Sequence, residues 1–241
     1  MYNLTDIEKQ RLRQTIRAVY AVPFIDDLED YVWESVFAYA KGILPIDPLL
    51  HTRKKFLFDV VNRDNGIGWS IKAVQSQLKS TIELPCEQEI VIQRADIFKK
   101  AEKLGFRELS TGSPPEQLGA ALLRHWYEKV NHDAQKQEIQ DKRVCVLLKS
   151  RDRKHYVFLE EELVVYDSGD LSWAWTDDTR TGLQARQVKD GRLVFRWYPN
   201  QKQFFERFSF PTDAFQFRIE PKRLEAREVV ALLLAKLGDK P

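Results

Sequence analysis

The stretch from Phe56 to Val74 constrains the fold of this chain more than any other segment. Two runs rich in β-branched and aromatic residues flank Asn65-Gly66, and this dipeptide between such runs is the strongest short-range signal for a two-residue hairpin turn. Strands paired about that turn place Asp59 directly opposite Lys72. The sequence therefore predicts an acid and an amine that face each other on adjacent strands.

This acid–amine pair has two interpretations. Cross-strand pairs of opposite charge are common and stabilise a sheet by only about 0.2–1 kcal/mol, so the simpler one is a structural ion pair. However, the residues around Asp59 are almost continuously apolar, which predicts a strand buried on both faces. A charge in such a strand is costly unless it is paired or binds a cation. Ser70 lies two residues before Lys72 and shares its face, so the second interpretation is half of an active site.

Composition and cysteine usage narrow the class of protein. The 241 residues carry a net charge of only +2, so an anionic partner must meet local patches of charge rather than a global field. Cys86 and Cys145 show no CxxC spacing, which fits a reducing compartment and excludes a disulfide scaffold. The N-terminus lacks the features of a signal peptide, and no apolar run reaches the length of a membrane span. We therefore expect a cytoplasmic protein.

The order of predicted elements indicates an α+β fold with an α/β core. Thr5 and Glu8 form a capping box at the start of a helix. Helices are predicted at 6–20, about 26–41, 95–104, 116–138 and 222–237, with strands at 89–94 and at several short segments from 142 onward. Residues 1–140 are predicted to form one part, and residues 141–241 a β-rich section that extends it and is closed by the last helix.

A helix with an acidic residue is followed by a strand with a second acidic residue and by a strand with Ser-x-Lys. This arrangement resembles the PD-(D/E)XK nuclease superfamily. In this resemblance Asp59 takes the place of the metal-binding aspartate, Lys72 that of the lysine, and Glu34 that of a helix glutamate that assists metal or water binding. Two positions depart from the pattern, because Phe58 stands where a proline is usual and Ser70 where a carboxylate is usual. The run Trp-Ser-Ile-Lys and the later Phe-Arg-Trp-Tyr-Pro are similar to type II restriction endonucleases.

The resemblance also implies where the missing acid lies. A variant of the superfamily has Ser-x-Lys and supplies the carboxylate a dozen or so residues downstream. Glu83 and Glu87 bracket that distance, and the sequence leaves open which of them substitutes, or whether neither does. Mg²⁺, or Mn²⁺, would then be held by Asp59, one of these glutamates and the Ile71 carbonyl. Lys72 would orient or activate the attacking water and stabilise developing negative charge.

Two basic segments in the C-terminal part are candidates for DNA contact. The first is a turn and the second interleaves cations with aromatic residues, a composition that suits phosphate contact and base readout. Their candidate DNA-binding residues are Arg151, Arg153, Lys154 and His155 in the turn, and Arg196 and Lys202 in the second segment. A solvated strand face is the alternative for each segment.

The sequence as a whole thus predicts a restriction-endonuclease-like mixed sheet flanked by helices, with a nuclease core in residues 1–140 and DNA contacts in residues 141–241. By resemblance, the expected activity is metal-dependent cleavage of double-stranded DNA by a homodimer, as in a type II restriction enzyme. One alternative is a catalytically impaired, nuclease-fold protein that binds DNA or takes part in repair, and it is motivated by Ser70. Another is a structural α+β domain in which Asp59 and Lys72 form an ion pair only.

Overall fold

A computed structural model of the chain describes residues 2–44, 56–220 and 222–238. In the part that it describes, four α-helices and two five-stranded sheets form an α+β fold, which confirms the predicted fold class. The chain divides into two compact units, and each is built from separate segments. The first contains Met1–Glu83, Gln137–Glu162 and Asp213–Pro241, and the second contains Leu84–Lys136 and Leu163–Thr212. The units therefore do not follow the sequential division at residue 140.

The elements are named in chain order. The helices are α1 (Asp6–Ala21), α2 (Asp30–Ala40), α3 (Pro115–Lys136) and α4 (Ala226–Leu237). The strands are β1 (Val60–Asn62), β2 (Ile67–Gln75), β3 (Cys86–Arg94), β4 (Asp141–Lys149), β5 (His155–Glu162), β6 (Leu171–Trp175), β7 (Leu183–Gln187), β8 (Leu193–Tyr198), β9 (Gln203–Phe210) and β10 (Phe215–Arg218). None of the helices within the described residues is long and apolar enough to cross a membrane.

The sheet of the first unit is mixed and has the strand order β1-β2-β4-β5-β10. β2 and β4 are parallel, and the other neighbouring pairs are antiparallel. Helices α1 and α2 cover one face, where their apolar residues pack against Trp69, Ile71 and their neighbours on the sheet. The predicted capping box starts α1, because the Thr5 hydroxyl accepts from the Glu8 N–H and the Glu8 carboxylate accepts from the Thr5 N–H.

The hairpin between β1 and β2 is present, but its register differs from the predicted one by two residues. Asn62 pairs with Ile67 and Val60 with Trp69, so the turn contains four residues instead of two. The Asn62 side chain explains the longer turn, because its Oδ1 accepts hydrogen bonds from the N–H groups of Asp64 and Asn65. Gly66 ends the turn with a φ of +63°, a conformation that favours glycine. A shift of two residues keeps every side chain on its original face.

The second unit has an antiparallel sheet with the order β3-β9-β8-β7-β6. Helix α3 lies against β6, where an ideal Cβ on Gly119 would come within 2.3 Å of the Trp173 ring, so glycine is required for this close approach. The predicted strand at 89–94 is β3 and belongs to this sheet. The predicted helix at 95–104 is wrong except for one 3₁₀ turn at Glu102–Leu104.

Candidate active site on the β1–β2 hairpin

Asp59 and Lys72 lie together on one face of the first unit's sheet. The Lys72 Nζ is 3.8 Å from the Asp59 Oδ2, and the two side chains are 29% and 22% exposed. The distance is that of an ion pair without a direct hydrogen bond. The carboxylate and the ammonium therefore converge at a half-buried position that solvent and a ligand can reach.

Two hydrogen bonds to β2 hold Asp59, which immediately precedes β1. The Asp59 N–H donates to the Trp69 carbonyl at 2.9 Å. The Asp59 Oδ2 accepts from the Ile71 N–H at 2.9 Å. Because a strand residue directs its N–H and its carbonyl to the same side, the Ile71 carbonyl lies at the same sheet edge.

Two further side chains belong to this part of the unit. Ser70 is 3% exposed and, by strand alternation, shares its face of β2 with Lys72. Gln137, which the sequence did not single out, donates from its Nε2 to the Phe58 carbonyl at 2.9 Å. Its Oε1 is buried and has no hydrogen-bond partner among the described residues. A buried acceptor of this kind suits an ordered water next to the backbone that carries Asp59.

Glu34 has a different location from the one that the resemblance implies. It lies on α2, and this helix packs on the face of β2 that carries Trp69 and Ile71. Lys72 points to the opposite face, because successive residues of a strand alternate. Glu34 is therefore carried by a helix that covers the other side of the sheet.

The two glutamates proposed to replace the missing acid lie in different units. Glu83 is exposed at the end of a segment of the first unit. Glu87 lies on β3 of the second unit, where its carboxylate forms an ion pair with Arg207 at 2.5 Å and accepts from the Ser209 hydroxyl. Within residues 2–44, 56–220 and 222–238, no three His, Cys, Asp or Glu side chains come together in the way that would hold a metal ion.

The basic turn between β4 and β5 is largely occupied by contacts inside the first unit. The Arg153 guanidinium donates to the Asp26 carbonyl and lies 3.9 Å from the Asp27 carboxylate. Lys154 forms an ion pair with Glu220 at 3.0 Å. Arg151 is exposed, so in this turn it is the cation best placed to meet a phosphate.

His155, the fourth candidate in this turn, is buried at 4% exposure. Its Nδ1 accepts from the Ile82 N–H at 2.9 Å, and its Nε2 lies 3.2 Å from the Gln216 Oε1. Burial lowers the pKa of the imidazole, and the nearby Arg218 lowers it further. His155 is therefore a neutral structural residue that ties three segments of the unit together.

We expect this histidine to make folding sensitive to mild acid. Because its pKa is lowered in the folded state, its contribution is complete above the ordinary value of 6.5 and is lost as the pH falls below it. Once protonated, Nδ1 can no longer accept from the buried Ile82 N–H, a loss of about 1–3 kcal/mol. Urea unfolding at pH 7.5 and pH 5 measures the change. His155→Asn should flatten the pH dependence, whereas the exposed His132→Asn should leave it as steep as in the wild type.

The second basic segment lies in the second unit and is also internally paired. Arg196 on β8 forms an ion pair with Glu89 at 3.0 Å, and Lys202 forms one with Asp96 at 2.7 Å. The Lys202 side chain is 46% exposed, so phosphate could compete with Asp96 for it at low cost. Arg196 is less accessible and is held by Glu89 and the Tyr198 hydroxyl.

A buried ion cluster lies on the opposite face of the first unit's sheet from Asp59 and Lys72. The Glu160 carboxylate is fully buried and accepts from the Trp69 Nε1 at 2.8 Å, from Arg143 at 3.0 Å and from Lys41 at 2.7 Å. The cluster was not predicted from the sequence, although a glutamate that follows the apolar run of β5 was a possible signal. Because every partner is supplied by the unit itself, we assign the cluster a structural role.

Comparisons with known proteins add no relative. No family model matches the chain, and neither the curated proteins nor the solved structures contain a match. The site must therefore be interpreted from its own geometry.

Proposed function

We propose that this protein is a metal-dependent endonuclease that hydrolyses phosphodiester bonds in double-stranded DNA, in the manner of a type II restriction enzyme. One observation carries the proposal: Asp59 and Lys72 converge on one face of the hairpin, with Nζ and Oδ2 3.8 Å apart and both side chains partly accessible. The α+β fold and the mixed sheet are compatible with the resemblance on which the proposal also rests.

The oxygen donors near the hairpin would supply a magnesium ion with the smallest set of protein ligands that it usually takes. Mg²⁺ prefers oxygen ligands and usually takes one or two carboxylates, with water and phosphate completing its shell. Asp59 and the Ile71 carbonyl supply one carboxylate and one neutral oxygen at the same sheet edge. When bound there, Mg²⁺ or Mn²⁺ would neutralise the scissile phosphate and lower the pKa of a bound water. Glu83 is the remaining candidate for a second carboxylate within the first unit.

The protein's own groups have distinct roles in this proposal. The Lys72 ammonium orients the attacking water and stabilises the negative charge that develops on the phosphate oxygens. The Ile71 N–H holds the Asp59 carboxylate in place by the 2.9 Å hydrogen bond to Oδ2. Ser70 is buried, and its hydroxyl cannot bind Mg²⁺ as a carboxylate does.

A second candidate function is supported by a specific observation. Ser70 occupies the position where the family pattern has an acid, and no cluster of three metal-binding side chains occurs in the described parts of the chain. These features favour a protein that binds DNA through a nuclease-like fold without cutting it. Such a protein would retain Arg151 and the other surface cations but would have no use for the acid–amine pair.

Incubation with supercoiled plasmid DNA distinguishes the two candidates. The endonuclease proposal expects linear or nicked DNA in the presence of Mg²⁺ or Mn²⁺ and none after addition of EDTA. Binding is measured in parallel by fluorescence anisotropy on a labelled duplex in Ca²⁺. Duplex binding without cutting by either metal, over many plasmids that differ in sequence, supports the second candidate. The absence of both binding and cutting overturns both proposals and favours a structural role for the pair.

A further inference from the structure

The peptide group that precedes Asp59 is fixed at both ends. Its N–H, which belongs to Asp59, donates to the Trp69 carbonyl at 2.9 Å. Its carbonyl, which belongs to Phe58, accepts from the Gln137 Nε2 at 2.9 Å. The Asp59 carboxylate itself accepts from the Ile71 N–H. Three hydrogen bonds therefore set the position of this carboxylate: two come from β2, and Gln137 supplies the third from 79 residues away in sequence.

The connection between α3 and β4, which carries Gln137, is attached to the same hairpin at two further points. The Gln140 N–H donates to the Gly66 carbonyl at 2.8 Å. Ile139 is buried, and an ideal Cβ on Gly68 would come within 2.3 Å of its Cδ1, so glycine is required for this close approach. The backbone next to Gln137 is therefore held in place, and the amide can hold the Phe58 carbonyl in turn.

Two features of this connection count against a role in stability alone. Glu138 has a φ of +59°, a left-handed conformation that a residue with a side chain adopts at a cost. The Gln137 Oε1 is buried and has no hydrogen-bond partner in the part of the chain that the structure describes, and an unpaired buried acceptor destabilises the folded state. Strained backbone clusters at functional sites. Both features therefore favour a role of this connection in the site that it supports.

We propose that Gln137 is a positioning residue for the Asp59 site, where its amide holds the Phe58–Asp59 peptide so that the carboxylate is oriented for a divalent cation. Gln137 acts through the backbone and has no contact with the metal or the phosphate in this proposal. Groups that orient a metal-binding side chain commonly contribute 10–100-fold, roughly, to metal affinity or activity. The inference rests on the proposed function, because it concerns the same carboxylate.

Three variants separate the hydrogen bond of Gln137 from its packing. Gln137→Leu removes the donor and keeps a side chain of similar bulk. Gln137→Glu keeps the shape but places an acceptor where the Phe58 carbonyl needs a donor. Gln140→Leu is the matched control, because Gln140 is an exposed glutamine of the same connection and reaches the Gly66 carbonyl through its backbone N–H. Circular dichroism and the midpoint of urea unfolding show whether each variant is folded.

Amide hydrogen exchange of Ile71, measured by NMR without metal, reports the position of the carboxylate, because this N–H donates to the Asp59 Oδ2. In both Gln137 variants we expect the Ile71 amide to exchange at least about tenfold faster than in the wild type. Gln140→Leu should leave the rate within about twofold. The amide of Val146, which is buried in β4, is the internal reference for a change in global stability.

Mn²⁺ binding, followed by the EPR signal of the free ion, measures the consequence for the site. The dissociation constant should rise about 10–100-fold in both Gln137 variants, and the rate of plasmid cleavage should fall by a similar factor. Gln140→Leu should bind Mn²⁺ and cut DNA as the wild type does.

The outcomes distinguish this inference from the proposed function. Unchanged exchange of the Ile71 amide in the Gln137 variants overturns the inference, whatever the activity of the protein. Wild-type Mn²⁺ affinity in those variants also overturns it and leaves the endonuclease proposal intact. A wild-type protein that neither binds Mn²⁺ nor cuts DNA overturns the proposed function, and this inference with it.

Discussion

Replacement of Lys72 by alanine is expected to reduce the rate of plasmid cleavage by about 10²–10⁴-fold. The ammonium lies 3.8 Å from the Asp59 carboxylate, and in the endonuclease proposal it is the cation that acts on the attacking water and the scissile phosphate. The loss should appear in the rate of cleavage at saturating enzyme rather than in DNA affinity, because Lys72 acts on charge that develops during the reaction. Asp59→Asn should cause a loss of similar size, since it removes the carboxylate that the proposed metal requires.

Lys79→Ala is the matched control, because Lys79 is an exposed lysine of the same unit. It should leave cleavage within about twofold of the wild type, as expected of a solvated side chain. Both lysine variants should unfold in urea within about 1 kcal/mol of the wild type, the range of a partly exposed ion pair. Full cleavage by Lys72→Ala would show that the Asp59–Lys72 pair is structural and would remove the site from the proposal.

Replacement of Glu160 by glutamine is expected to destabilise the first unit by about 3–5 kcal/mol. Glu160 is completely buried and is the shared partner of Lys41 and Arg143. Each cation keeps a more exposed carboxylate, Glu8 at 3.4 Å from Lys41 and Asp141 at 2.5 Å from Arg143, but both lose the buried counter-charge that they share. The carbonyl oxygen of the glutamine can still accept from the Trp69 indole N–H. The change in the free energy of unfolding therefore measures mainly the loss of the carboxylate charge. The midpoint of urea unfolding, followed by tryptophan fluorescence, measures the change.

Glu162→Gln provides the comparison for this variant. Glu162 lies on the same strand but is exposed, so its replacement should change the free energy of unfolding by no more than about 0.5 kcal/mol. A Glu160 variant as stable as the Glu162 variant would contradict the assignment of a structural role to the buried cluster.

The buried Cys145 next to this cluster has a thiol whose pKa is raised by burial and by Glu160, so it remains protonated and unreactive in the folded protein.

The candidate site was predictable because it depends on short-range pattern. Two apolar runs about Asn65-Gly66 were sufficient to pair two strands, and alternation then placed Asp59 and Lys72 on one face. The exact register was not predictable from the dipeptide, since the Asn62 side chain builds a longer turn. Asp59 and Lys72 nevertheless lie on one face, because a shift of two residues preserves the face of each side chain.

The basic residues show the limit of reading charge from sequence. Arg153, Lys154, Arg196 and Lys202 all belong to basic segments, yet each meets a carboxylate that is distant in sequence. Glu87 likewise meets Arg207 of β9, although its spacing from Lys72 suggested a metal ligand. Such partners are separated by at least 66 residues of chain, and no local pattern encodes them.

The sequence by itself determined the capped first helix, the long helix α3, the α+β class and the acid–amine hairpin, because each follows from propensity and periodicity within a few turns or one strand pair. Only the tertiary structure decided that two units are assembled from interleaved segments, that Glu160 is buried among cations, and that most of the large apolar side chains of α4 are exposed. These features depend on which distant segments pack together. Burial and charge pairing are properties of that packing, whereas secondary structure is largely a property of neighbouring residues.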